Sequence, residues 1–299
     1  MRWASILRNL GHRVKVASDY EGVPADLMIA LHAWRSAGSI NSFRARYPEG
    51  PLVVGLAGTD VYRFQESDPE TTLGAMQKAD RLVGLHDLIG DAVPAAMWPK
   101  LRVIHQSAAP LAGRLPPLRT SFEVLVVGNL REEKDPLRAA YAARLLPPES
   151  RVRILHLGKP YDETWANSAQ EEMKNNHRYV WRGEVPGWAV RKAMARAQLM
   201  VLSSVMEGGA NVISEAIVAG LPVIASAIPG SIGLLGPDYP GYYPVQNTAA
   251  LSQTLHRAET DATFLAALLD HYSARLALFA PEREHEAWRN LLAELSGGA

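Results

Sequence analysis

The chain contains no cysteine, which excludes disulfides, a cysteine nucleophile and thiolate metal sites. It also has no excess of charge, because 31 Lys and Arg residues balance 31 Asp and Glu residues. A balanced chain has no overall field that would draw it to nucleic acid or to an anionic membrane. No apolar run approaches the length that crosses a bilayer, and the sequence after Met1 is amphipathic rather than signal-like. We therefore expect a cytoplasmic protein with no nucleic-acid partner and no stable membrane insertion.

Patterns that bind metals or dinucleotides are lacking as well. Nine histidines are scattered without H-x-x-x-H spacing, and no D-x-D occurs, so we expect no catalytic metal and no cofactor. The G-x-x-G-x-x-G series at 230–236 is not the dinucleotide fingerprint and is predicted to be a loop. His32, His86 and His105 each lie near the end of a predicted strand, where a packed or hydrogen-bonded histidine is the simpler interpretation.

What the sequence does contain is a repeated alternation of short apolar runs and amphipathic stretches, which is typical of α/β proteins. A length of 299 residues fits two such domains. The proline-rich segment PLAGRLPPLR at 110–119 predicts a stiff linker between them. We predict an N-terminal domain at 1–113 and a C-terminal domain at 114–299. The final predicted helix either completes the second domain or packs back on the first.

The first domain begins with a helix rather than a strand. The prediction is a helix at Trp3 to Leu10 followed by strands at Arg13 to Ala17, Asp26 to Leu31, Pro51 to Leu56, Arg81 to Leu85 and Arg102 to Ile104. A doubly wound domain normally opens with a central strand and a Gly-rich loop, and neither precedes Trp3. We therefore expect a first domain that lacks its first strand. The hypothesis is that Met1 is an internal start and that the active enzyme carries about 20 to 30 further residues.

The second domain is organised around a strand, a Gly-rich turn, a helix and another strand. These elements are predicted at Leu199 to Leu202, at Glu207 to Gly209, at Asn211 to Ala219 and at Leu221 to Ser226. Two glycines at the start of a helix let an anionic ligand approach bare N–H groups. Carboxylates at Glu207 and Glu215 suit sugar hydroxyls, because they accept charge-assisted hydrogen bonds. The spacing of two glutamates alone is weak evidence, but its position on this turn favours a site for a phosphorylated sugar.

Two motifs resemble those of a known enzyme class. G-x-L-x-x-x-K at 128–134 and E-G-G-x-x-x-x-x-E at 207–215 resemble the GT-B glycosyltransferases that carry an E-x7-E motif. Such enzymes consist of two Rossmann-like, doubly wound domains that face a cleft. Five longer blocks between residues 31 and 244 resemble the selenosugar synthases of the selenoneine pathway: LHAWRSAGSI, GLAGTDVYRF, VGNLREEKDP, EGGANVISEA and GLLGPDYPGYYP. Enzymes of that family join selenophosphate to the anomeric carbon of a sugar taken from a UDP-sugar.

The resemblance implies a role for each matching residue. The catalytic residues would be Glu207 at the donor sugar and Lys134 at the diphosphate, with Arg131 in place of the arginine that the superfamily usually carries at the position of Asn129. The remaining donor-binding residues would be Gly128, Asn129, Gly208, Gly209, Ala210, Asn211 and Glu215, of which Glu215 holds the ribose. The acceptor-binding residues would be His32, Arg35, Ser36, Thr59, Asp60 and Arg63. Arg35 and Arg63 are the natural clamps for a compact polyanion such as selenophosphate.

Two other functions are open on the sequence. One is an ordinary glycosyltransferase that transfers a sugar to a hydroxyl, which would be expected to show a base poised for that hydroxyl or a membrane-facing surface helix. The other is a non-catalytic module that binds nucleotide sugars. A selenium nucleophile is already anionic and needs no strong base, which agrees with the lack of an evident His–carboxylate pair in the sequence. Both UDP-glucose and UDP-N-acetylglucosamine are candidate donors.

Overall fold

The computed structural model describes residues 2–296 and divides them into two compact units. The first unit comprises residues 2–107 and 278–296, and the second comprises residues 108–277. The chain therefore passes from the first unit to the second at Ser107 and Ala108, and the last helix is grouped with the first unit. Among residues 2–296, no helix combines the length and the apolarity needed to cross a bilayer.

The first unit is built on a parallel sheet of four strands in chain order. These strands are β1 (Met28–Leu31), β2 (Leu52–Gly55), β3 (Arg81–Gly84) and β4 (Leu101–Val103). The helices are α1 (Arg2–Asn9), α2 (Ala37–Arg46), α3 (Gln65–Ser67), α4 (Pro69–Lys78) and α12 (Pro281–Ser296). A π-helical turn spans Asp60–Phe64, and two 3-10 helices span Asp87–Ala92 and Ala95–Lys100.

Both faces of the first sheet are covered. Successive side chains of a strand point to opposite faces, so Leu52 and Val54 pack in the cluster that contains Phe43, while Val53 packs in the cluster that contains Trp288. Trp288 meets Trp3 of α1 edge to face, with ring centroids 4.7 Å apart. Burial on both faces explains why β2 is apolar throughout rather than alternating.

The predicted strand at Arg13 to Ala17 is wrong. In the structure this segment is irregular, and Val16 is exposed. The backbone carbonyl of Val14 accepts a hydrogen bond from the Arg8 guanidinium at 2.9 Å instead of a ladder bond. A β-prone pattern forms a strand only where a neighbouring strand can pair with it. Within residues 2–296, the strands that pair in this sheet are β1 to β4 alone.

The second unit is a six-stranded parallel sheet with the order β10-β9-β8-β5-β6-β7. Its strands are β5 (Phe122–Val127), β6 (Val152–Leu157), β7 (Tyr179–Trp181), β8 (Leu199–Leu202), β9 (Val223–Ser226) and β10 (Tyr242–Tyr243). Its helices are α5 (Arg138–Arg144), α6 (Glu163–Asn175), α7 (Gly187–Arg196), α8 (Asn211–Val218), α9 (Pro229–Leu235), α10 (Thr248–Thr260) and α11 (Ala262–Ser273), followed by a 3-10 turn at Leu276–Phe279. The strand order reverses between β5 and β8, and open α/β sheets bind ligands at the carboxyl edge of such a point.

The predicted loop at 230–236 is also wrong, because Pro229–Leu235 forms the helix α9. Glycines lower helix propensity, but Pro229 begins the helix well, and Gly236 ends it with a φ of 93°. Gly230 has a packing role: a Cβ atom there would lie 2.4 Å from the backbone oxygen of Glu207. The glycine therefore allows α9 to approach the turn that carries Glu207.

Candidate active site

Two loops meet at the carboxyl edge of the second sheet, one after β5 and one after β8. The Val205 N–H donates to the Glu133 carbonyl at 2.9 Å, and the Ser203 hydroxyl donates to the Asp135 carbonyl at 2.8 Å. Asp135 adopts a left-handed conformation with a φ of 43° and accepts from Arg138 at 2.7 Å. These contacts hold the end of the β5 loop, and with it Lys134, against the β8 loop.

An ion pair lies at this junction. The Lys134 ammonium contacts Oε1 of Glu207, and the Ser204 hydroxyl donates to the same oxygen at 2.6 Å. The side chains are 21% exposed for Lys134 and 9% exposed for Glu207. Chemically, the ammonium is suited to phosphate oxygens and the carboxylate to hydroxyl donors. The sequence prediction does not include Ser204. Its position after a strand and three residues before Glu207 is the sequence feature that could have indicated it.

The helix α8 begins directly after the turn that carries Glu207. Gly209 has a φ of 137°, a conformation that suits glycine. Ala210 at the N-cap has no side-chain oxygen to accept from the first N–H groups of the helix. At the first residue of α8, the Asn211 side-chain amide donates to Oε1 of Glu215, one turn further along the helix, at 2.7 Å. Glu207, Gly208, Gly209, Asn211 and Glu215 thus lie along one continuous turn and helix start.

The loop that begins at Gly128 packs on the loop after β6. A Cβ atom at Gly158 would lie 1.9 Å from the Gly128 carbonyl oxygen, so only glycine permits this approach. His156 Nε2 lies 3.0 Å from the same oxygen, and its Nδ1 lies 2.9 Å from the Tyr179 hydroxyl. Burial lowers the pKa of His156 to about 4. The ring is therefore neutral near pH 7, with Nε2–H donating to Gly128 and Nδ1 accepting from Tyr179.

Asn129 and Arg131 are oriented differently from Lys134. The Asn129 side-chain oxygen accepts from the Lys159 N–H at 3.3 Å. Arg131 has a partly exposed side chain whose Nε lies 3.9 Å from Glu133. The structure thus brings Lys134 to Glu207 and places Arg131 beside Glu133.

A second polar group lies at the carboxyl edge of the first sheet. Nδ1 of His32 is 2.5 Å from Asp60 Oδ1, and its Nε2 is 2.8 Å from the Thr59 hydroxyl. Asp60 is fully buried and also accepts from the N–H groups of Trp34 at 3.0 Å and Ala57 at 2.9 Å. These contacts hold the Asp60 carboxylate between the residues that follow β1 and those that follow β2.

The other predicted acceptor residues are more dispersed. The Ser36 hydroxyl donates to the Leu31 carbonyl at 2.7 Å. Arg35 is exposed, whereas Arg63 lies partly buried in the π-helical turn. Three of the six predicted residues lie in contact, because the His32 ring is hydrogen-bonded to Thr59 and lies 2.5 Å from Asp60; its Nδ1 also accepts from the Arg35 N–H at 3.2 Å.

The remaining histidines at strand ends are packed against neighbouring polar side chains. His86 is buried, with Nε2 3.3 Å from the Tyr62 hydroxyl, and burial lowers its pKa to about 4. His105 Nε2 lies 2.9 Å from the Asp87 carboxylate. Within the described range 2–296, no three His, Asp or Glu side chains cluster closely enough to hold a metal ion.

Residues 115–271 match the family described as Glycosyl transferases group 1, and they make up more than half of the chain. The chain belongs to this glycosyltransferase family. No curated protein is significantly similar to it in sequence. Its α/β fold with two parallel sheets matches GT-B glycosyltransferase structures, as the sequence predicted.

Three solved structures illustrate the likeness. HepE of Anabaena, in complex with UDP, is 14% identical with a TM-score of 0.71, over 90% of this chain and 79% of that chain. Sucrose-phosphate synthase of Thermosynechococcus elongatus is 19% identical with a TM-score of 0.75, over 92% of this chain and 74% of that chain. The trehalose-6-phosphate synthase OtsA is 13% identical with a TM-score of 0.73, over 92% of this chain and 73% of that chain.

Proposed function

We propose that this glycosyltransferase transfers a sugar from a UDP-sugar to selenophosphate and so forms a selenosugar. The observation that carries the donor half of this proposal is the ion pair of Lys134 and Glu207 beside the start of α8. The similar structure of HepE was solved with UDP, with UDP and glucose, and with UDP-glucose. The acceptor half rests on the five sequence blocks that resemble selenosugar synthases.

The donor would bind with its charges matched to those of the site. Lys134 and the N–H groups at the start of α8 would neutralise the diphosphate, since a cation and a helix N-terminus both favour anions. Glu207 would accept hydrogen bonds from the sugar hydroxyls, and Glu215 would accept from the ribose. Gly128 and Asn129 would lie beside the phosphates, and Arg131 would add a second, more exposed cation.

The transfer itself needs charge stabilisation more than covalent catalysis. The selenium atom of selenophosphate bonds to the anomeric carbon, the carbon–oxygen bond to the diphosphate breaks, and UDP leaves with the electron pair; phosphate is released afterwards. Negative charge builds on the leaving diphosphate, where Lys134 is already held in place by the β8 loop. Arg35 and Arg63 would bind the phosphate group of the acceptor.

A specific observation favours the second candidate, a glycosyltransferase with a hydroxyl acceptor. That candidate requires a base, and no His–carboxylate pair is evident in the sequence alone. The 2.5 Å contact between His32 and Asp60 is such a pair. The non-catalytic alternative differs from both in that it predicts binding without turnover.

The test is UDP release from UDP-glucose and from UDP-N-acetylglucosamine, each with selenophosphate, with phosphate and with a simple sugar alcohol. We expect release that depends on selenophosphate and falls sharply in Glu207→Gln. Release with the alcohol alone would establish the second candidate. Binding of UDP by calorimetry without release under any condition would establish a non-catalytic module and refute the proposal.

A further inference from the structure

Two donors meet at one oxygen of Glu207 in the second unit. The Lys134 ammonium and the Ser204 hydroxyl both contact Oε1, the hydroxyl at 2.6 Å. Within residues 2–296, the carboxylate forms both of its hydrogen bonds through Oε1 and none through Oε2. Because an ionised carboxylate accepts at both oxygens, Oε2 is the atom that can accept from a ligand. The two donors thus determine which oxygen Glu207 presents.

Lys134 and Ser204 differ in how readily they can leave this oxygen. The Lys134 side chain is 21% exposed, and under the proposed function its ammonium turns to the diphosphate of the donor. Ser204 is 1% exposed, and its carbonyl accepts from the Ser226 hydroxyl of β9 at 2.5 Å. When Lys134 binds the diphosphate, Ser204 is the donor that stays at Oε1.

The backbone of Glu207 is held by a separate contact. The helix α9 packs against it at Gly230, where an added Cβ atom would lie 2.4 Å from the Glu207 carbonyl oxygen and 2.9 Å from its Cβ atom. This contact fixes where the side chain begins, but it does not set the torsion angles that direct the carboxylate. A hydrogen bond to Oε1 is therefore needed to set its direction.

We propose that Ser204 is a positioning residue that keeps the Glu207 carboxylate directed at the donor sugar while Lys134 binds the diphosphate, an inference that rests on the proposed function. The Ser204 hydroxyl donates to Oε1, and Oε2 accepts from a hydroxyl of the sugar. Ser204 itself touches no substrate, because it is buried. Without this bond the carboxylate follows the Lys134 ammonium, to which its charge attracts it, and the sugar loses its acceptor.

The first test is calorimetry with UDP, UDP-glucose and UDP-N-acetylglucosamine, and it needs no acceptor. Ser204→Ala is expected to bind UDP within about threefold of wild type, because the hydroxyl acts on the contact with the sugar. Affinity for the UDP-sugar should fall by about tenfold, the lower end of the effect of a hydrogen bond to a charged group. Equal loss of UDP and UDP-sugar affinity, or unchanged affinity for both, would overturn the inference.

Ser214→Ala is the matched control. Ser214 lies in α8 and is also 1% exposed, and its hydroxyl has no hydrogen-bond partner among the residues that the structure describes. The substitution removes a buried hydroxyl without breaking a contact to Glu207, so both affinities should stay within about twofold of wild type. A loss of UDP-sugar affinity that Ser214→Ala reproduces would overturn the inference, since it would indicate a general response to a lost buried hydroxyl.

A double-mutant cycle tests whether Ser204 acts through Glu207. In the Glu207→Ala background, the further change Ser204→Ala should alter UDP-sugar affinity by less than about twofold, because the carboxylate that it positions is gone. If Ser204 had only a structural role, its replacement would cause the same loss in both backgrounds, and that result would overturn the inference.

The outcomes separate this inference from the proposed function. If the wild-type chain binds UDP-sugars but selenophosphate supports no UDP release, the proposed acceptor is wrong, and calorimetry still decides the role of Ser204. If Ser204→Ala binds UDP-sugars as tightly as wild type, the positioning role is overturned and the proposed function is unaffected. Failure of the wild-type chain to bind either UDP-sugar would overturn both.

Discussion

Replacement of Glu207 by glutamine is expected to separate turnover from nucleotide binding. In the structure the Lys134 ammonium contacts Glu207, so the diphosphate of a donor must compete with that carboxylate for Lys134. Glutamine removes the competing charge but would also weaken the proposed contact with the sugar. Loss of one charged hydrogen bond corresponds to about 1.5 to 3 kcal/mol, or a ten- to hundredfold lower rate. UDP affinity should stay the same or rise.

The measurements are calorimetry with UDP and initial rates of UDP release. The Lys134 side chain is partly open to solvent, so the gain in UDP affinity is expected to stay below about tenfold. Ser204→Ala is the matched control, because it removes a 2.6 Å hydrogen bond to the same oxygen but keeps the charge. If UDP affinity in Glu207→Gln falls in parallel with the rate, this reasoning is refuted, because that result would mean that the carboxylate contacts the nucleotide rather than the sugar.

Three further predictions concern the ribose, the acceptor and the pH. Glu215→Ala should weaken UDP itself, and unchanged calorimetric affinity would contradict the ribose assignment. Arg35→Ala or Arg63→Ala should raise KM for selenophosphate and leave UDP affinity nearly intact. If selenophosphate and UDP affinity fall equally, these arginines do not belong to the acceptor site. Burial lowers the pKa of His86 and His156 from 6.5 to about 4. The unfolded chain therefore binds more protons as the pH falls through this interval, and stability is lost. Urea unfolding should show a loss of about 2 kcal/mol per histidine at about pH 5, smaller in His156→Gln; equal stability at about pH 7.5 and pH 5 would contradict this.

The elements that could be predicted from the sequence are those whose pattern is set by burial. β8 (Leu199–Leu202) is confirmed at both ends, because a parallel strand that is buried throughout is a continuous apolar run. The segment at Arg13 to Ala17 has a similar local pattern, but strand formation depends on a partner that the pattern does not specify. At 230–236 the glycine count predicted a loop, whereas burial of Leu234 and Leu235 favours the helix.

In the candidate sites, too, residues close together in the sequence could be predicted, whereas contacts between distant residues could not. The turn with Glu207 and the helix start with Glu215 lie within one short stretch, so their position on a predicted strand–turn–helix unit could indicate them. The contact between His32 and Asp60 joins residues 28 positions apart that follow two different strands. No local sequence pattern indicates such a pair, because the contact depends on the parallel register of β1 and β2. A separation of three residues indicates that Ser204 lies near Glu207, but it does not specify the hydrogen bond between their side chains.

The central claim is the identity of the acceptor, and the mass spectrum of the product tests it most directly. After incubation of the chain with a UDP-sugar and selenophosphate, we expect UDP together with a sugar product that shows the isotope pattern of selenium. Glu207→Gln should reduce both in the same proportion. UDP release accompanied only by free sugar or by a selenium-free glycoside would contradict the account.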